Sequence, residues 1–307
     1  MFRMEQPTAV RAIPSAWRRL EGPTWAVAIC AHGGWGLLTW FFPQIPWWLA
    51  MPLGAWLVAW HGSLQHEIMH GHPTPHTGFN AALAAVPLSL WIPFAIYRDS
   101  HLEHHVTPAL TSPFDDPESY YVDAARWRRL GRPARAILTF NNTLLGRLTV
   151  GPALVVGGFW WGEARRLTSG DFRYAAVWFR HCAGVAVVLT WVVWCRIPIL
   201  EYALLFAYPG LSLTLLRSYL EHRPADRQQH RTAIVEGDLL TRLLFLNLNF
   251  HAVHHDLPGL PWYALPAAFE AGREAVLAGN GGYFFPGYGT IARRFLLRPK
   301  DSPRHPG

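Results

Sequence analysis

Hydrophobic and polar positions are distributed unevenly along the chain. Between Glu21 and Glu67 there is no Asp, Glu, Lys or Arg. A spanning helix needs about 20 apolar residues, so this run predicts two helices, near Thr24–Phe42 and Trp47–Gln65. Pro43-Gln44-Ile45-Pro46 forms the link between them, because proline breaks helices and suits turns. No small-residue cleavage site ends the run, so a cleaved leader is not expected. A second charge-poor stretch runs from His181 to Leu216, interrupted only by Arg196 and Glu201. With Pro198 at the break, it predicts spans near Ala183–Ile199 and Leu200–Tyr219. Two further apolar stretches, Phe79–Tyr97 and Leu148–Gly162, carry internal or early prolines and are read as helices lying in the membrane interface.

The arginines orient this pattern. Arg3, Arg11, Arg18 and Arg19 precede the first span; Arg126, Arg128, Arg129, Arg132, Arg135, Arg147, Arg165, Arg166 and Arg173 lie between the second and third; Arg223, Arg227, Arg231 and Arg242 follow the fourth. Four crossings place all three sets on one face, which the positive-inside rule makes cytoplasmic. The expectation is an all-α integral membrane protein of four transmembrane helices with a cytoplasmic helical cap and both termini in the cytoplasm. Residues 1–270 form the membrane domain and 271–307 a cytoplasmic tail, its Pro/Arg-rich end expected to be mobile.

Composition agrees. Hydrophobic residues make up 51% of the 307 and charged residues 15%, against about 25% in an average soluble domain. The net charge of +7 is almost wholly arginine, since Lys300 is the only lysine. A basic balance alone would also fit a nucleic-acid-binding protein, but a charge-free run of this length argues against one. Cys30, Cys182 and Cys195 show no CxxC spacing, so neither a disulfide framework nor a cysteine zinc site is expected.

The remaining anomaly is 16 histidines. Nine fall in four places: His66-Glu67-Ile68-Met69-His70, His101-Leu102-Glu103-His104-His105, His222, and His251-Ala252-Val253-His254-His255. Residues three and four apart on a helix share a face, and all nine lie on the cytoplasmic face deduced independently from arginine. Imidazole suits iron, copper, zinc and nickel. One zinc takes about four ligands, so nine fit two metals, and two nitrogen-ligated metals with open positions suggest oxygen activation by iron. HExxH alone is also the zinc-protease signature with glutamate as general base, but such a protease needs one further ligand rather than seven. A non-enzymatic metal-binding or transport protein is the remaining rival; transport predicts charged residues at mid-membrane, and the four spans show none there.

At these residues the chain resembles the membrane fatty acid desaturase superfamily of histidine-box diiron enzymes, specifically the bacterial acyl desaturase-like proteins. His66xxxHis70, His101xxHisHis105 and His251xxHisHis255 match the three boxes in order and spacing, and His222 matches the extra ligand before the third. The resemblance extends from about Trp47 to Leu265. It implies metal ligation by His66, His70, His101, His104, His105, His222, His251, His254 and His255, two iron ions, dioxygen as co-substrate, and oxidation of a C–H bond in a lipid acyl chain. Gln65–Pro73 and Asp116-Pro117-Glu118-Ser119-Tyr120 look like acyl desaturases. HExxH with Tyr219-Leu220-Glu221-His222 is similar to alkane hydroxylases, and Phe250–Pro266 to carotenoid ketolases. Double-bond formation is the leading expectation; fatty-chain hydroxylation or decarboxylation and carotenoid oxidation are the alternatives. The implied location is a bacterial inner membrane.

Glu67, Glu103, Glu221 and Asp256 are candidates to orient the imidazoles, as carboxylates beside ligating histidines commonly do. Asn249 is a candidate to hold a metal-bound water. His61 is expected to pack, His72 and His76 to be surface residues, and His32, His181, His230 and His305 to be bystanders. No iron–sulfur spacing, nucleotide loop or haem segment is visible. An external donor, ferredoxin or a cytochrome, is therefore expected at the arginine-rich face.

Overall fold

The computed structural model describes residues 20–306; Arg3, Arg11, Arg18 and Arg19 lie outside them. Helix α1 (Gly22–Trp40) and helix α2 (Trp47–Met69) form an antiparallel hairpin through the proline link. Short helix α3 (Thr77–Ala84) and helix α4 (Phe94–Val106) follow. Next come α5 (Ala124–Arg129), α6 (Arg132–Asn141), α7 (Leu144–Thr149) and α8 (Gly151–Thr168). Helices α9 (Ala175–Trp194) and α10 (Ile199–Ser218) are long and apolar enough to cross a membrane. The cap is completed by α11 (Leu239–Leu244), α12 (His251–Asp256), α13 (Leu265–Gly279) and α14 (Tyr288–Phe295). Strand β1 (Ile234–Val235) pairs in parallel with β2 (Phe284–Phe285).

Three elements differ from the sequence expectation. Phe79–Tyr97 is not one helix. It divides into the end of α3, an irregular turn over 85–93 and the start of α4, because Pro87 interrupts the run and Pro93 caps α4. Helix α9 begins at Ala175, well before the expected Ala183, since a helix continues past the point where its side chains stop being apolar. Within α10, Ala203–Ala207 form a π turn. The 298–306 segment is also pinned rather than loose. Lys300 N–H donates to Asn142 O (2.9 Å), His305 N–H to Val122 O (2.9 Å), and Lys300 Nζ to His222 O (2.8 Å).

The core holds α2 against α10 without spacers. A Cβ on Gly210 would lie 2.6 Å from Val58, and one on Gly54 2.5 Å from the Phe206 ring. Helices approach this closely only where one side offers hydrogen. Substituting Gly210 by alanine is expected to destabilise the protein by about 1–3 kcal/mol, seen as a lower thermal midpoint in detergent. One turn before Phe206 and stacked on it, Tyr202 donates to Leu88 O (2.7 Å) and accepts from Trp35 Nε1 (3.0 Å). These bonds fix the 85–93 turn and thereby the start of α4, which carries part of the histidine cluster.

Candidate metal centre

Helical spacing decides where each imidazole goes. His66 and His70 share one face at the end of α2. On α4, His101 and His105 are four apart and point together, whereas His104 is turned about 100° from His105. On α12 the same arithmetic pairs His251 with His255 and turns His254 away. The nine rings assemble into two groups, His66, His70, His101, His105 and His254, and His104, His222, His251 and His255. Within each group the nearest ring nitrogens all lie within 4.8 Å of one another. Helices α4 and α12 therefore stand between the groups, and each gives a pair to one side and a single ring to the other. His105 and His255 stack across the divide at 4.3 Å between centroids. None of the other seven histidines joins either group.

The inward atom is Nε2. His101 Nε2 lies 3.2 Å from His70 Nε2 and 3.0 Å from His105 Nε2, which is 3.1 Å from His254 Nε2. His222 Nε2 lies 3.0 Å from both His104 Nε2 and His251 Nε2, and His251 Nε2 is 3.1 Å from His255 Nε2. An imidazole nitrogen has one hydrogen or one lone pair, so hydrogen bonds cannot satisfy nitrogens that each face two others. Nitrogens about 2.1 Å from a common ion at right angles would be about 3.0 Å apart, and the observed spacings match. Both nitrogens of His66 are buried without any hydrogen-bond partner. This donor set fits two nitrogen-ligated metal ions.

Outside the groups, Nδ1 atoms meet carboxylates. Asp116 Oδ1 lies 2.7 Å from His104 Nδ1, Glu118 Oε1 3.1 Å from His101 Nδ1, and Glu221 Oε1 3.5 Å from His251 Nδ1. A carboxylate there holds the proton on Nδ1 and leaves the Nε2 lone pair facing inward. Of the four carboxylates expected in this role, Glu221 lies beside a ring of the cluster, though not in hydrogen-bond geometry with it. Glu103 and Asp256 are exposed on the solvent side of their helices. Glu67 instead accepts from Trp262 N–H (2.9 Å) and lies 3.8 Å from His72 Nε2. His72 is buried, not at the surface, because the turn at Pro73 folds it onto Glu21 (2.6 Å). Asn249 donates its NH₂ to Val235 O and to Glu236 O (3.1 Å), while its buried Oδ1 has no hydrogen-bond partner among the described residues. Sequence reasoning missed Asp116 and Glu118; the signal was two carboxylates flanking a proline in the loop just after an HxxHH helix.

Six of the rings are held toward the neutral form. Burial and the neighbouring imidazoles push His105 down to about 2 and His70 to about 3. The same causes hold His222, His251, His254 and His255 well below the ordinary imidazole value. For His104 burial acts downward too, but the Asp116 bond and nearby carboxylates outweigh it and raise the ring. Burial works against ionised Glu118, yet His101 and its neighbours hold that carboxyl at about 2. Neutral imidazoles are the form that binds metal.

A pH dependence follows. Depressed histidines favour the folded state above their unfolded value of 6.5, and this advantage is lost as pH falls from there toward the folded values near 2 and 3. His104 opposes the trend. Metal-free protein should therefore melt at progressively lower temperature between about pH 7 and about pH 5, and bound metal should shift the onset to lower pH.

A protein-family model described as Fatty acid desaturase matches residues 44–287, a stretch that includes all nine clustered histidines, the two carboxylates bonded to them, Asp116 and Glu118, and Glu221 beside His251. Among curated proteins, none matches the chain.

Proposed function

Since the chain belongs to the fatty acid desaturase family, we propose that it is a membrane-embedded, dioxygen-dependent diiron oxidoreductase that introduces a double bond into a lipid acyl chain. The observation that carries this reading is the convergence of nine imidazoles into groups of five and four. A five-imidazole group exceeds the four-coordinate preference of zinc, and iron suits imidazole and oxygen chemistry. All nine clustered histidines are the proposed ligands. Two irons held there would supply activation of dioxygen and removal of hydrogen from an unactivated methylene.

The chain's own part is positioning. Asp116 and Glu118 fix two ring orientations, Glu221 lies beside a third ring, and burial keeps water away from the site. The zinc-protease reading of HExxH requires Glu67 to face a metal-bound water. Glu67 is instead held by the Trp262 amide and faces His72, which argues for a structural role joining α2 to the segment after α12.

The membrane setting is proposed as four spans, α1, α2, α9 and α10. Trp40, Phe41, Trp47, Trp48 and Trp194 are exposed at the ends remote from the histidines, as an interfacial aromatic belt requires. Ile29, Leu37, Val187 and Leu204 face outward between belt and cap. The cap then lies on the cytoplasmic face, of a bacterial inner membrane in this reading. Arg126, Arg128, Arg129 and Arg132 are exposed on α5 and α6 and offer a docking face for an acidic electron donor such as a ferredoxin, or for a cytochrome.

The test expresses the chain in a host without such enzymes, together with a ferredoxin system, and compares extracted lipids by mass spectrometry. Loss of one hydrogen pair from an acyl chain is expected. Gain of an oxygen atom would replace desaturation by hydroxylation, and no change together with zinc rather than iron in the purified protein would overturn the reading.

A further inference from the structure

Arg217 ends α10 as a buried cation, 7% exposed. Its Nε lies 3.0 Å from Glu221 Oε1, one helical turn further on. The same Glu221 oxygen is 3.5 Å from Nδ1 of His251 in the four-histidine group. On its other side the guanidinium bonds to Tyr97 of α4, whose ring is 6.1 Å from His101. Glu118, the carboxylate on His101 Nδ1, is among its near charged neighbours. The charge of Arg217 also acts on one ring of each group, His66 and His251.

The guanidinium thus reaches toward both groups, to Glu221 beside His251 on one side and to Tyr97 beside His101 on the other. Lysine would supply a point charge, whereas the planar guanidinium has five donors in a fixed fork and can serve separate acceptors at defined angles. We infer that Arg217 is a positioning residue shared by the two metal groups, holding Glu221 beside His251 in one, and Tyr97 beside His101 in the other. This inference rests on the dimetal reading of the histidine cluster.

The test uses the full-length protein in detergent, loaded anaerobically with ferrous iron, with release of each iron to a chelator followed over time. Mössbauer spectra of the loaded protein identify the two iron environments. Loss of an outer partner weakens metal binding by roughly 10–100-fold. Arg217→Met is therefore expected to speed release from both groups by about 10-fold or more and to alter both Mössbauer signals. Glu221→Gln should speed only the four-histidine iron, and Glu118→Gln only the five-histidine iron. Arg217→Lys, which keeps charge but not the fork, should fall between wild type and Arg217→Met, and it is read by the same criterion should Arg217→Met not accumulate as folded protein. Native release and native spectra in the arginine variants would overturn the inference, and acceleration of one iron alone would overturn the sharing. Wild-type protein that binds no iron would instead overturn the dimetal reading itself.

Discussion

Replacing His104 by alanine is expected to abolish lipid oxidation and to leave protein that holds one iron where the proposed centre holds two. His104 is the single ring that α4 gives to the four-histidine group, and its Nε2 sits 3.0 Å from His222 Nε2. Removing it leaves three imidazoles, and the affinity of that group should fall by more than the roughly 10–100-fold that loss of an outer partner costs. The substitution also removes one of three donors to buried Asp116, which keeps the Thr111 and Glu118 amides. Loss of a hydrogen bond to a charged group costs about 1.5–3 kcal/mol, so a lower thermal midpoint should accompany the loss. His105→Ala removes a ring from the other group and should spare the four-histidine iron. His76→Ala, at an exposed position outside both groups, should leave iron content and product unchanged. Iron analysis and lipid mass spectrometry on the three variants decide the matter; two irons in His104→Ala would refute its proposed role.

The histidine cluster was legible in the sequence because three- and four-residue spacing on helices is a local property. The division into groups was not. The spacing in His101-Leu102-Glu103-His104-His105 pairs the first and last rings and turns His104 aside, but it does not say which rings of other helices each side joins; that depends on which neighbours α4 meets on each side. The outer carboxylates divide the same way. Glu221 was readable because it adjoins His222, yet it serves His251, far away in sequence and near only in the fold. Asp116 and Glu118 were missed because a loop brings them back onto the helix they follow. His72 was misread as a surface residue because its partner, Glu21, lies beyond the whole α1–α2 hairpin. Among the helices, absence of charge located apolar stretches but not ends. Helix α9 runs through Arg180 to begin at Ala175, and prolines, rather than hydropathy, set the break between α3 and α4.

Asp116 carries the second large expectation. Asp116→Asn should weaken metal binding in the four-histidine group by roughly 10–100-fold with little change in fold. The carboxylate is surrounded by donors alone. Oδ1 accepts from Glu118 N–H (2.9 Å) and faces His104 Nδ1 (2.7 Å), while Oδ2 accepts from Thr111 N–H (2.7 Å). An asparagine has one oxygen and one NH₂ for these positions. If its NH₂ faces Thr111, two donors oppose each other. If it faces His104, the ring must accept at Nδ1 and carry its proton on Nε2, where that hydrogen blocks the lone pair needed for metal. Either orientation penalises the native arrangement, whereas Glu118→Gln acts on His101 and the other group. Iron release to a chelator, read with circular dichroism as a check on the fold, separates the two. Native release in Asp116→Asn would show that His104 keeps its tautomer without the carboxylate.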